Sequence, residues 1–340
     1  MVAIMPDLES LGVTMAHAIN VADIFAARAR IANTIRRTPM LDSPALSEQL
    51  GCRVRLKLEH HQLTGSFKLR GASNAIACLS DEQKAAGVVG VSTGNHGRGL
   101  AYAARAAGVR AIVCMSELVP QNKVDGIRDC GAEVRIIGRS QDDAQVEVDR
   151  LVREEGMTEL SPFDDPRVIA GQGTVGLEIL EDAPDLDTVV VQLSGGGLMS
   201  GIACAIKACN PDVRVIGVSM ERGPGMHASL QAGKPVVIEE LPTLADSLGG
   251  GIGIDNRYTF TMVRDLMDDI VLVSEAEIAA AIHHGYWRER QIIEGSGSVG
   301  IAAALAGKLD NTGNTVILVS GGNIAMELHK QIIDGEVPEV

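Results

Sequence analysis

Aromatic residues are scarce: one Trp, three Tyr and four Phe in 340 residues. The core must therefore be built from Ala, Val, Ile, Leu and Met, which the 46% hydrophobic content allows. No apolar run reaches the roughly 18 residues that span a bilayer, so no membrane partner is expected. The N-terminus carries Asp7 and Glu9 and lacks an apolar stretch, which excludes a secretory signal. Positive charge is in deficit: Lys and Arg number 30 against 44 Asp and Glu, a formal net charge of −14. With no long Lys/Arg run to track phosphates, nucleic acid is not an expected partner. The six cysteines (Cys52, Cys78, Cys114, Cys130, Cys204, Cys209) form no Cys-x-x-Cys pair and sit in apolar contexts. That argues against a disulfide framework or a zinc site and for reduced core residues of a cytoplasmic protein. Internal repeats of 20–50 residues and low-complexity tracts are also missing.

Glycine, by contrast, is plentiful at 38 residues, and much of it falls between strand-like and helix-like segments. β-Rich runs recur at 54–58, 88–92, 111–115, 133–137, 188–193, 214–219, 269–273 and 315–319. Segments of helical period lie between them, at 95–107, 141–155, 198–209, 275–288 and 324–333. This alternation predicts an α/β chain with parallel sheets covered by helices. Pro120 fits the first turn of a helix and Gly131 its C-terminal cap. The turn-rich segment Ser161-Pro162-Phe163-Asp164-Asp165-Pro166 marks a domain crossing. Residues 1–15 show little pattern and read as a leader, with Met15 a possible natural start. The chain stops about twenty residues after its last strand, so no appended regulatory domain is expected.

Four stretches carry chemistry. Ser194-Gly195-Gly196-Gly197-Leu198-Met199-Ser200-Gly201 follows a strand and opens a helix, where exposed amides bind phosphate. Its spacing is not that of a triphosphate loop. Gly195-x-Gly197 with Glu221 some 20 residues on also suits a dinucleotide fold, although Ser200 stands at the third glycine position. Ser92-Thr93-Gly94-Asn95-His96-Gly97 is the second, suited to a carboxylate or phenolate oxygen and equally to an ordinary helix cap. Third, Ser320 in Val319-Ser320-Gly321-Gly322-Asn323 either caps a turn or faces an unprotonated ring nitrogen. Last, Glu294 at the head of Gly295-Ser296-Gly297-Ser298 reads by default as a structural cap. Lys68, in Thr64-Gly65-Ser66-Phe67-Lys68-Leu69-Arg70-Gly71, is either a surface lysine at a helix start or a buried reactive amine.

Taken in order, these motifs resemble those of the fold-type II pyridoxal-phosphate enzymes, closest to the threonine/serine dehydratases. Arg37-Thr38-Pro39, Lys57-Leu58-Glu59, Ser66 to Ala72, Ser92 to His96, Ser194 to Ser200, Glu294-Gly295 and Ser320 to Asn323 carry the resemblance, across about residues 30–335. It implies a tryptophan-synthase-beta-like α/β fold. Two parallel-type sheet domains have helices on both faces: a large cofactor domain from 1–79 and 161–340, and a small domain over 80–160. It implies that Lys68 binds the cofactor aldehyde, that Asn95 meets the phenolic oxygen, and that Gly195, Gly196, Gly197 and Leu198 hold the phosphate. Ser320 would face the ring nitrogen, with Phe67 and Glu294 also at the cofactor. Ser92, Thr93, Gly94 and His96 would line the substrate-carboxylate pocket. A homodimer is implied as well.

The implied reaction is β-elimination of water from a 3-hydroxy amino acid, giving a 2-oxo acid and ammonia. Serine racemase-like activity, a nicotinamide-dependent dehydrogenase and a non-catalytic ligand-binding protein are the alternatives. Thr93 stands where serine racemases carry a second-face base, which argues against racemisation. Met220 to His227 departs from the acidic cation site of some relatives, so no metal ligands are assigned. The wording of His60 to Gly65, Gly97-Arg98-Gly99 and Ser140 to Gln145 resembles the hydroxyectoine-utilisation dehydratases. That implies an acidic substrate such as 3-hydroxyaspartate, which Arg98 would meet if it turned into the cleft rather than to solvent.

Overall fold

The computed structural model describes residues 17–338 apart from positions 93 and 120. The expected leader and start at Met15, the helix-start role of Pro120 and the substrate role of Thr93 lie outside the described residues. Ten strands are present among these: β1 (Met40–Asp42), β2 (Val54–Leu58), β3 (Val88–Val91), β4 (Ala111–Met115), β5 (Glu133–Ile136), β6 (Thr158–Glu159), β7 (Thr188–Gln192), β8 (Arg214–Met220), β9 (Asp269–Val273) and β10 (Thr315–Val319). They form two sheets. One has six strands in the order β1-β2-β10-β7-β8-β9, the other four in the order β5-β4-β3-β6. Every pairing is parallel except β1 on β2, so the larger sheet is mixed at one edge.

The inner strands are buried almost throughout, with half-buried residues only at one end of β3 and of β8, as parallel strands covered by helices on both faces must be. Thr-Val-Val-Val-Gln in β7, Ala-Ile-Val-Cys-Met in β4 and Thr-Val-Ile-Leu-Val in β10 are buried throughout. The edge strand β5 is only half-buried or exposed along its length. Gly131 closes the helix Gln121–Cys130 as expected, with φ +108° and its N–H donated to Arg128 O.

Glycine offsets the lack of large rings by letting helices touch backbone to backbone. A methyl group placed on Gly171, in the helix Pro166–Asp182, would stand 2.6 Å from the carbonyl oxygen of Arg70. That brings the helix Lys68–Ala77 directly onto its neighbour.

The same helix is also anchored by charge. Arg70 is wholly buried and bonds Glu59 at 2.8 Å and Glu178 at 2.7 Å. Lys57, equally buried, bonds Glu178 at 2.7 Å and the carbonyl of Thr38 at 2.8 Å, while the Thr38 hydroxyl donates to Glu59. Each buried charge is paired, the condition under which such charges are tolerated.

Candidate active site

In the larger sheet β2, β10 and β7 are adjacent, so the loops at their C-terminal ends converge. That edge of a parallel sheet is where α/β proteins bind ligands. The loop after β2 carries Lys68, the loop after β10 carries Ser320, and the loop after β7 carries the three glycines. β3 of the smaller sheet brings Ser92 to His96 to the same place.

Lys68 is the first residue of its helix. Its Nζ donates to the carbonyl of Pro162 at 2.9 Å and lies 5.4 Å from the centre of the Phe67 ring. The side chain is partly accessible through the cavity, but its amine sits deep, and burial pushes it down to about 8. The residues before it are stitched to the loop after β10. Phe67 N–H donates to Ser320 O, Gly322 N–H donates to Gly65 O, and Ser66 bridges Gly321. Ser320 is thereby buried at the cavity wall beside Lys68.

The glycine loop caps the helix Gly197–Cys209. Gly196 is its N-cap at φ +90°, and the first intrahelical bond runs from Ser200 N–H to Gly196 O, which leaves the amides ahead of it open. Glycine is demanded here by the protein side. A methyl on Gly197 would stand 2.7 Å from the Phe163 carbonyl, one on Gly195 would overlap the Phe163 ring, and one on Gly196 would meet Met226 and Thr259. Crowding by the crossing segment, rather than only the approach of a phosphate, fixes these residues.

Across the cavity, the helix Asn95–Ala106 begins without a side-chain cap, since its N-cap is Gly94. Ser92 Oγ instead accepts from the amides of Gly97 (2.9 Å) and Gly94 (3.4 Å), and the first intrahelical bond runs from Arg98 to Gly94. His96 Nε2 lies 3.1 Å from the carbonyl of Leu160, to which it donates. Burial, with the nearby Lys68 charge, pushes this imidazole down to about 3, so it is neutral. Glu294 is not the structural cap it resembled, because its side chain makes no bond to its own helix. It turns into the cavity, where Asn95 Nδ2 donates to Oε1 at 2.6 Å and Asn323 N–H to Oε2 at 2.9 Å. Burial pushes its carboxyl up to about 7, Asp246 adding to the rise.

Phe67, Lys68, Asn95, Gly195, Gly196, Gly197, Leu198, Glu294 and Ser320 thus border one inner cavity. Ser92, Gly94 and His96 border an outer cleft of about 630 Å³ that opens onto it through Lys68 and Asn95. Sequence reasoning missed Phe163, Gln192, Ser247 and Ser296, which line the same cavity. Arg98 is a correction: its guanidinium lies on Gly126 of the next helix, at van der Waals overlap with any side chain there, and it does not line the cleft. Among the described residues no group of three or more His, Cys, Asp or Glu side chains is placed to hold a metal, and no helix is long and apolar enough to cross a membrane.

The family described as "Pyridoxal-phosphate dependent enzyme" matches residues 31–321. A Sinorhizobium fredii relative with threonine dehydratase in its name is 58% identical, over 94% of this chain and 96% of its own. An L-threonine ammonia-lyase of Thermotoga maritima is 44% identical, over 93% of this chain and 78% of its own. Among solved structures, maize serine racemase superposes with a TM-score of 0.87 at 35% identity, covering 93% of this chain and 98% of that one. The dinucleotide and non-catalytic readings of the glycine loop give way to these findings. The chain belongs to the pyridoxal-phosphate dependent enzymes and, within them, to the threonine dehydratase and ammonia-lyase type of carbon–nitrogen lyase.

Proposed function

We propose that this enzyme eliminates water from a small neutral 3-hydroxy amino acid, threonine or serine, giving a 2-oxo acid and ammonia. One observation carries the reading. The deep-set amine of Lys68 lies between open helix-start amides at Gly197–Leu198 and at Asn95–His96, with the Ser320 hydroxyl on the same wall.

Pyridoxal phosphate fits these residues. Gln192 lines the cavity with Oε1 buried and unpartnered, its Nε2 being held by the carbonyls of Leu318 and Gly297. Ser66 Oγ, two residues before Lys68, is orphaned likewise. The glycine loop would hold the phosphate, Ser320 the ring nitrogen and Asn95 the phenolic oxygen, with Phe67 and Glu294 beside the ring. Bound there, the cofactor supplies an electron sink. The Lys68 amine, shifted toward neutrality, takes the Cα proton at Nζ. Ser320 would donate a hydrogen bond to the ring nitrogen and leave it uncharged, where a carboxylate would bring a proton. The open amides of Asn95 and His96, with Ser92 and Gly94 beside them, would orient the substrate carboxylate. Loss of the β-hydroxyl as water leaves an enamine, and its hydrolysis gives the oxo acid and ammonia.

Glu240 and Asp246 border the cleft, and Lys123 there is ion-paired with Asp246 at 2.6 Å. With Asp246 neutralised by Lys123, the Glu240 carboxylate is the charge that disfavours a dicarboxylate here. A role in hydroxyectoine breakdown, with an acidic substrate, is the competing reading, supported by the local sequence wording. The four-stranded sheet draws its strands from 88–159 alone, which supports the small-domain span 80–160 within a large domain of 1–79 and 161–340. Exposed Tyr286, Trp287 and Met326 support a homodimer, and the six free cysteines support a cytoplasmic setting.

The test is a product assay on the holoenzyme. L-Threonine and L-serine should each release 2-oxo acid and ammonia one for one, with kcat/KM at least about tenfold above that for 3-hydroxyaspartate, or about 1.4 kcal/mol. A preference for 3-hydroxyaspartate would move the assignment to the hydroxyectoine branch. Inversion at Cα without ammonia would overturn elimination.

A further inference from the structure

Asn95 sits in a chain of side-chain bonds whose directions follow from one end. The carbonyl of Thr64 can only accept, so the Asn323 atom 2.9 Å from it is the amide nitrogen. That nitrogen is 2.6 Å from the Asn95 side chain, so the Asn95 atom facing it is the oxygen. The Asn95 nitrogen is thereby turned to Glu294, whose Oε1 accepts at 2.6 Å. Glu294 Oε2 accepts from the backbone N–H of Asn323 at 2.9 Å, which closes a ring of contacts. Oε1 accepts whether the carboxyl is charged or neutral, so the direction survives its titration. One hydrogen on the Asn95 nitrogen remains unspent in this chain. Gly65, at φ +75°, leaves room for the Asn323 amide, which any side chain at 65 would strike.

An isolated asparagine turns either end of its amide to a neighbour with nearly equal ease. Here the choice is removed by Asn323, outside the cavity lining, and by Glu294 on it. We propose that Asn323 and Glu294 are positioning residues that lock the Asn95 side-chain amide in one orientation, so that an N–H, and not a carbonyl oxygen, faces the phenolic oxygen of the cofactor. This rests on the reading of Asn95 given above.

The chain can be reversed by design. Asn323→Asp removes both donors at 323 and draws the Asn95 nitrogen toward itself. Glu294→Gln breaks one bond whichever way its amide faces. Together they restore the two bonds of Asn95, to 294 and to 323, in the reversed direction, while the bond to the Thr64 carbonyl stays lost. The readouts are thermal stability of the apoprotein, cofactor affinity, and the visible band of the bound cofactor, which reports how its phenolic oxygen is hydrogen-bonded. Each single variant should lower Tm, shift the band to shorter wavelength and weaken cofactor binding by about tenfold, the worth of one buried hydrogen bond. The double variant should be more stable than Asn323→Asp alone, with the Thr64 bond still missing, but keep the shifted band.

A double variant no more stable than Asn323→Asp, a double variant whose band returns to the wild-type position, or single variants with an unshifted band would overturn the proposal. Asn323→Ser keeps one donor and serves for the same readouts if Asn323→Asp does not fold. Asn95→Ala separates the two readings: an unshifted band there defeats the assignment of Asn95 itself, whereas a shifted band there with an unshifted one in Asn323→Asp defeats only the lock.

Discussion

Lys68 shows how far environment decides what a residue does. In sequence it is an ordinary lysine at a helix start. In the fold its amine is sunk beside Pro162 and pushed down to about 8. Because this lies below the unfolded value, the unfolded chain holds more protons between pH 8 and 10.5, and the stability of the apoprotein rises with pH across that window. Below 8 the cost of burying the ammonium is present in full. Lys68→Met should therefore be more stable than wild type at pH 7, as apoprotein in denaturant titrations, with the gap closing toward pH 10.5. A gap that does not change with pH would mean Lys68 titrates as a surface lysine. His96, held neutral against Leu160 and pushed down to about 3, adds a slope of the same sign at lower pH, between about pH 3 and 6.5.

At the scale of elements, the site is a set of helix starts and the turns that feed them. Gly196→Ala places a side chain at φ +90° against Met226 and Thr259, and should cost about 1–3 kcal/mol of stability together with cofactor affinity. Thermal melts with and without cofactor measure both. Arg70→Ala leaves Glu59 in the core without its cation and Glu178 with Lys57 alone, and should cost about 3–5 kcal/mol in the apoprotein, read from urea unfolding. The long elements were legible because their periods run over many residues, and helices such as Gln141–Glu155 fall where the pattern puts them. The strands β1 and β6, three and two residues long, are too short to show a period. The cause of the glycine run was not legible either, since Phe163, which fills the space beside it, lies thirty-odd positions away in a turn.

In the whole molecule, the site gathers segments from nearly the full chain: 67–68, 94–96, 162–163, 194–198, 246–248, 294–296 and Ser320. The motif-bearing part of this was readable because glycine runs and a lysine in a Ser-x-Lys setting are local signals. Gln192, Ser247 and Ser296 were not, because their place depends on contacts such as Ser247 N–H to Ser296 Oγ, 49 positions apart. The reach of Arg98 was misjudged for a similar reason, since its direction is set by a glycine gap at 126 in the neighbouring helix. The central claim is that one amine, that of Lys68, holds the cofactor at this convergence. The direct measurement is borohydride reduction of the holoenzyme followed by peptide mapping. The account predicts loss of the band at about 410–420 nm and a single pyridoxyl group on Lys68. A label on Lys57, Lys123 or another lysine, with Lys68 unmodified, would contradict it.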